Sequence, residues 1–146
     1  MKRLALVLLV LTTALVGSSR AANETVGFRV VANAANKETT IRRVALADMF
    51  LKRLSRWPDG TAVVPVDQSA TTPVRVAFSK AILGREMRAV LAYWQEQIFS
   101  GRGTPPPVKT SDRDVVVFVQ ANPGALGYVS EAEPIVGGVK ILNVGE

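Results

Sequence analysis

The spacing of apolar residues changes several times along the chain, between the period of a strand and that of a helix. Residues 26–32 alternate and are rich in β-branched side chains, which predicts a first strand. Residues 33–40 are polar and predict a loop. In residues 41–54 the apolar positions recur at helical spacing, at Leu46, Met49, Phe50 and Leu54. The turn residues 57–60 then lead into a second predicted strand over residues 62–66.

The segment after the second strand carries the clearest helix signals in the sequence. Thr72 is a favourable N-cap, and Pro73 suits the first helical position because its missing N–H has no partner there anyway. Gly84 predicts the end of the helix. One apolar stripe lies between these signals, formed by Val74, Ala77, Phe78, Ala81 and Ile82. We therefore expect Phe78 to lie at the centre of a buried helix face.

The second half of the chain predicts a further helix and two more strands. The helix covers residues 87–98 and has one apolar face, formed by Met87, Val90, Leu91, Trp94 and Ile98. Residues 99–107 combine glycines with three consecutive prolines, which predicts an irregular connection. Residues 125–129 and 139–144 have strand composition. The alternation of strands and helices indicates an α/β domain with a small mixed sheet flanked by helices.

Residues 113–120 support two interpretations. The run from Val115 to Val119 has strand composition. Ser111 could instead cap a helix whose first turn holds Asp112 and Asp114, two acids that stabilise the helix dipole. The sequence leaves helix and strand open here.

The first 21 residues predict a secretory signal peptide. Lys2 and Arg3 form a basic start, residues 4–16 are mainly apolar, and Ser19 and Ala21 stand at the −3 and −1 positions of a cleavage site. The apolar run is shorter than the ~20 residues that span a bilayer. The alternatives are an uncleaved anchor and a buried helix. We expect cleavage before Ala22, which would place the mature domain, residues 22–146, in the periplasm or outside the cell without stable membrane insertion.

The amino-acid composition excludes several kinds of functional site. The chain has no cysteine and no histidine, which excludes disulfides, the usual zinc sites and catalytic triads that use these residues. Residues 1–21 carry three basic residues and no acid, so cleavage lowers the net charge from +6 to +3. A protein with so little excess charge and no long basic run is not expected to bind nucleic acid. We predict no metal and no cofactor.

Three stretches together resemble the phosphate-binding proteins of bacterial ABC transporters, which are type II periplasmic binding proteins. They are VALADMFL at residues 44–51 followed by WPDG, VVPV at residues 63–66 followed by the Phe78 helix, and NPGALGYV at residues 122–129. The connection FSGRG at residues 99–103 is similar to that of short secreted relatives. The resemblance implies a single lobe of the two-lobed fold, in a protein that binds phosphate or another oxyanion weakly.

One departure from the family concerns its phosphate-binding turn, Arg-x-Asp-Gly-Ser-Gly-Thr. When Phe78 is placed on the family's helix aromatic, this chain has other residues at the Arg, Asp, Ser and Thr positions, namely Gln68, Ala70, Thr72 and Val74. The alternative function is therefore a secreted adaptor that kept the lobe, lost the ligand and acts through protein contacts.

Four residues around the predicted helix start are the candidate anion site. Ser69, Thr71 and Thr72 offer hydroxyl and backbone donors, and Arg75 lies within one turn as a bidentate partner. The plainer interpretation is that Thr72 only caps the helix and Arg75 is a solvated surface residue. Trp57 and Trp94 are expected to pack in or beside the core.

An enzyme is the least supported class, because no acids or nucleophiles stand at a spacing that would bring them together. We therefore predict a protein that is not an enzyme. Its predicted partners are phosphate or another oxyanion, and a transporter permease or another envelope protein.

Overall fold

The computed structural model describes residues 26–146, and the predicted signal peptide lies outside them. None of the helices in that range combines the length and the apolar composition that a membrane span requires. The described chain forms seven strands, β1 (Phe28–Asn33), β2 (Thr40–Arg42), β3 (Val64–Pro65), β4 (Asp67–Gln68), β5 (Val108–Lys109), β6 (Ala125–Ser130) and β7 (Val139–Gly145). Its four α-helices are α1 (Arg43–Phe50), α2 (Pro73–Phe78), α3 (Met87–Phe99) and α4 (Asp112–Ala121).

Five of the strands form one mixed sheet in the order β2-β7-β1-β6-β3. Strand β1 pairs antiparallel with both β6 and β7, whereas β2 and β3 pair parallel with their neighbours at the two edges. The strands β4 and β5 form a separate parallel pair. The expected α/β class with a small mixed sheet is confirmed.

The segment left open by the sequence is a helix. Ser111 accepts a hydrogen bond from the Asp114 N–H at 3.1 Å and so caps α4, whose first turn holds Asp112 and Asp114. Val115, Val116 and Val119 are buried on one face of it. That face packs closely on β6, since a Cβ on Gly127 would lie 2.8 Å from the Val115 Cγ1 atom.

Two predicted helices differ from their sequence patterns. The helix expected over residues 41–54 covers only Arg43–Phe50, because Ile41 pairs with Val144 in the sheet and the chain turns after α1. Leu54, expected on its apolar face, is exposed. The second helix begins at Pro73 and ends before Gly84 (φ 61°) as predicted, but its last part, Ser79–Leu83, is π-helical.

The sheet separates two cores, because successive residues of β1 point to opposite faces. Val30 packs with Phe78 and Tyr128 on one side, and Val31 packs with α4 on the other. The Phe78 and Tyr128 rings are stacked, with centroids 3.9 Å apart. The packing role predicted for the two tryptophans is confirmed, since Trp57 and Trp94 are both buried.

Lys52, the second residue after α1, holds a left-handed conformation (φ 56°). The N–H of Arg53 donates to the C=O of Asp48 at 2.8 Å, which is the bonding of a helix end that favours glycine at this position. Lys52→Gly is therefore expected to raise the free energy of unfolding by about 1 kcal/mol, because glycine adopts positive φ without steric cost. Urea unfolding measures the change. Lys52→Ala removes the same charge and is the matched control, and an equal gain in that variant would contradict the backbone explanation.

Candidate ligand site at the start of two helices

The predicted anion site lies where α2 and α4 both begin beside the β4–β5 pair. An open pocket of about 310 Å³ lies beside it, and Thr72 is the one of the four predicted site residues that lines this pocket. Gln68 of β4, Thr72 before α2, Asp112 at the start of α4 and Ser130 at the end of β6 all line it. The tertiary structure thus brings together residues that are far apart in the sequence. Gln68 and Ser130, for example, are 62 positions apart.

The turn before α2 holds three of the four predicted site residues together. The hydroxyl groups of Ser69 and Thr71 lie 3.3 Å apart, and the Ser69 N–H donates to the Lys109 C=O at 3.0 Å. Thr72 precedes the helix as expected, but its hydroxyl does not cap it. That hydroxyl donates to the Ser69 C=O at 2.9 Å and so fastens the turn instead.

Arg75, the fourth predicted residue, is turned into the interior. Its side chain is buried, and its Nη2 atom lies 2.8 Å from Oδ2 of Asp67. It is therefore neither a solvated surface residue nor one of the residues that line the pocket. The reason is the orientation of α2 about its own axis, which places Val74, Arg75 and Phe78 on its buried face.

Asp67 is the centre of a buried polar network. Its Oδ1 atom accepts hydrogen bonds from the Tyr128 hydroxyl and, at 2.8 Å, from the Gln68 N–H. Burial raises the pKa of Asp67, and the nearby positive charge of Arg75 opposes that rise. Burial and the negative charge of Asp67 raise the pKa of Tyr128 as well, so the phenol stays a hydrogen-bond donor. The network fixes β4 and, through it, the pocket floor.

Asp112 is the pocket residue whose role the sequence did not reveal. Its Oδ1 atom accepts from the Gln68 Nε2 at 2.7 Å, and its Oδ2 atom accepts from the Ser130 hydroxyl at 2.6 Å. Both donors come from distant parts of the chain, so no local spacing indicates them. The position of Gln68, where the resembled family has its arginine, was the one signal available.

The pocket offers both donors and an acceptor to a ligand. The start of α4 leaves the N–H groups of Asp112 and Arg113 without partners inside the helix. The Asp112 carboxylate lies beside them and repels a fully ionised anion, yet each of its oxygens can accept a further hydrogen bond. In the described part of the chain no group of three or more acids is placed to hold a metal ion.

Several solved structures with a similar fold are described as phosphate transport or phosphate-binding proteins. A phosphate transport receptor from Vibrio cholerae is 18% identical with a TM-score of 0.62, and the match covers 82% of this chain and 46% of the receptor. The chain has the fold of phosphate ABC transporter binding proteins. A substrate-binding protein from Clostridium perfringens with bound phosphate (16% identity, TM-score 0.65) is covered over 45% of its length, and 82% of this chain is matched. For PstS from Borrelia burgdorferi the sequence identity is 14% and the TM-score is 0.64, and the match covers 83% of this chain and 48% of PstS.

The chain therefore spans less than half the length of these phosphate-binding proteins. This agrees with the single lobe implied by the sequence resemblance. No family model matches the sequence, and no curated protein matches it significantly. At the level of fold, the resemblance found in the sequence is confirmed.

Proposed function

We propose that the chain is an exported solute-binding domain that binds phosphate weakly in the pocket between α2 and α4. The proposal rests on the placement of a carboxylate, that of Asp112, at a helix start within the fold of phosphate-binding proteins. Phosphate at neutral pH retains a proton. It can accept from the free N–H groups of α4 and donate its own proton to Asp112.

Weak binding follows from the donors that are already engaged. The side chains of Gln68 and Ser130 donate to Asp112, and Thr72 donates to Ser69, so a ligand must compete with acceptors of the protein itself. The pocket is also open to water, which reduces the strength of each polar contact. On the same similarity we propose a role in phosphate uptake, with a transporter permease as partner, in the periplasm or outside the cell after cleavage before Ala22.

Calorimetry with phosphate and sulfate tests the proposal. The wild-type protein is expected to bind phosphate with a dissociation constant in the millimolar range or below. It should bind sulfate at least tenfold more weakly, because sulfate has no proton to donate to Asp112. Asp112→Asn should abolish this preference, since an amide can donate to an oxyanion and does not repel it.

Asp114→Asn is the matched control, because Asp114 lies in the same helical turn but contacts Ser111 and does not line the pocket. It should leave the preference for phosphate unchanged. Absence of heat with either anion at millimolar concentration would contradict the proposal and favour the adaptor alternative. Equal loss of preference in both aspartate variants would instead indicate a general effect of charge on α4.

A further inference from the structure

A second and larger pocket, of about 650 Å³, lies between β2, α1 and the turn at Trp57. It shares no lining residue with the pocket proposed for phosphate. Its volume is in the range of ordinary ligand sites. We define it as the β2-edge pocket.

The pocket runs along the open edge of the sheet. Thr40, Ile41 and Arg42 all line it, although successive side chains of a strand point to opposite faces. Three consecutive residues can therefore meet one pocket only along the strand's edge. Strand β2 is the last strand on that side of the five-stranded sheet.

The hydrogen bonds of β2 determine which backbone groups face the pocket. The Thr39 C=O accepts from the Asn143 N–H at 2.9 Å, and Thr40 pairs with Asn143 in the parallel register. In such a ladder alternate residues direct their backbone groups to opposite edges, so Ile41 bonds to β7. The N–H and C=O of Thr40 then point outwards, where an added strand would meet them.

The floor of the β2-edge pocket is apolar and well fixed. Met49 and Trp57 are 3% and 4% exposed and form its buried part together with Ile41. The Trp57 Nε1 atom donates to the Gly124 C=O at 3.0 Å, which holds the indole in place. Ala45 at the side leaves room for a large side chain because it has only a methyl group.

The rim carries more positive than negative charge. Arg42 and Arg56 are exposed and line the pocket, and neither forms a salt bridge within residues 26–146. The Nη1 atom of Arg56 donates to the Gly60 C=O at 2.9 Å, which leaves the other guanidinium donors of Arg56 free. Glu38 is the one acid among the lining residues. The balance favours an occupant with acidic groups.

We propose that the β2-edge pocket binds an extended acidic segment of a partner protein by strand addition. The backbone of the segment pairs with Thr40, a large apolar side chain enters the space above Trp57, and acidic side chains two residues away on either side reach Arg42 and Arg56. These side chains share a face because the period of a strand is two residues. The surface is separate from the pocket proposed for phosphate, so the two proposals can fail independently.

The test uses a fluorescein-labelled peptide, Thr-Asp-Thr-Phe-Thr-Asp-Thr, and the purified full chain. Fluorescence anisotropy should show saturable binding, and the same peptide with Lys in place of both Asp residues should bind at least tenfold more weakly. The double variant Arg42→Gln, Arg56→Gln should weaken binding of the acidic peptide about tenfold. Lys80→Gln with Arg88→Gln is the matched control, because both basic side chains are exposed and lie outside the pocket, and it should bind normally.

A second variant tests the strand pairing. Thr40→Pro removes the outward N–H, and it should weaken binding of the peptide while its circular dichroism remains that of the wild type. Equal binding of the acidic and basic peptides, or no effect of the Arg42 and Arg56 substitutions, would overturn the proposal. So would equally tight binding of N-acetylphenylalanine amide, which would show a small-molecule pocket without strand addition.

Discussion

Phe78→Ala is expected to lower the free energy of unfolding by about 3–5 kcal/mol, as for other large aromatic side chains removed from a core. Phe78 is fully buried and stacks on Tyr128. Its ring centroid also lies 5.5 Å from that of Phe28 and 4.7 Å from that of Phe50. The side chain thus joins α2 to α1 and to two strands, and the surrounding elements cannot all move to fill the cavity.

Urea unfolding followed by circular dichroism measures this loss. Phe99→Ala is the matched control, because Phe99 is 83% exposed at the end of α3, and it should change stability by no more than about 0.5 kcal/mol. A loss below about 1 kcal/mol in Phe78→Ala would contradict the buried stack at the centre of this core.

Arg75→Met should also cost about 3–5 kcal/mol at neutral pH, because it removes one partner of a buried ion pair and keeps most of the side-chain volume. Asp67 would then lie buried without its counter-ion. Its pKa, already raised by burial, would rise further, since Arg75 is the charge that lowers it.

The pH dependence has a defined sign. A carboxyl group whose pKa is raised in the folded state contributes stability below its ordinary pKa of 3.8, and that stability is lost as the pH rises through the folded value. The loss in Arg75→Met should therefore be smaller near pH 4 than at pH 7. Adding Asp67→Asn to Arg75→Met should recover part of the stability at pH 7. An equal loss at both pH values would show that Arg75 acts through packing alone.

Arg75 also shows why a site residue can be misplaced from sequence. An arginine in the first turn of a helix is compatible with a ligand contact, a solvated position or a buried pair, and these differ only in what that face of the helix contacts. Asp67, eight residues earlier, is on a different element, and its distance from Arg75 depends on how α2 packs against β4. Asp112 is the opposite case, since its local role at the helix start concealed its contacts with Gln68 and Ser130.

Local patterns in the sequence determined the α/β class, the start of α2 at Pro73 and the burial of Phe78. They also determined that the helical segment stops before Gly84, because helix period and turn chemistry depend on neighbouring residues. Only the tertiary structure decided that residues 40–42 are a strand, since a three-residue strand exists through its pairing with β7. The choice of helix for α4 and the inward turn of Arg75 likewise depended on long-range contacts. Those contacts satisfy buried polar groups and apolar faces whose partners lie far away in the chain.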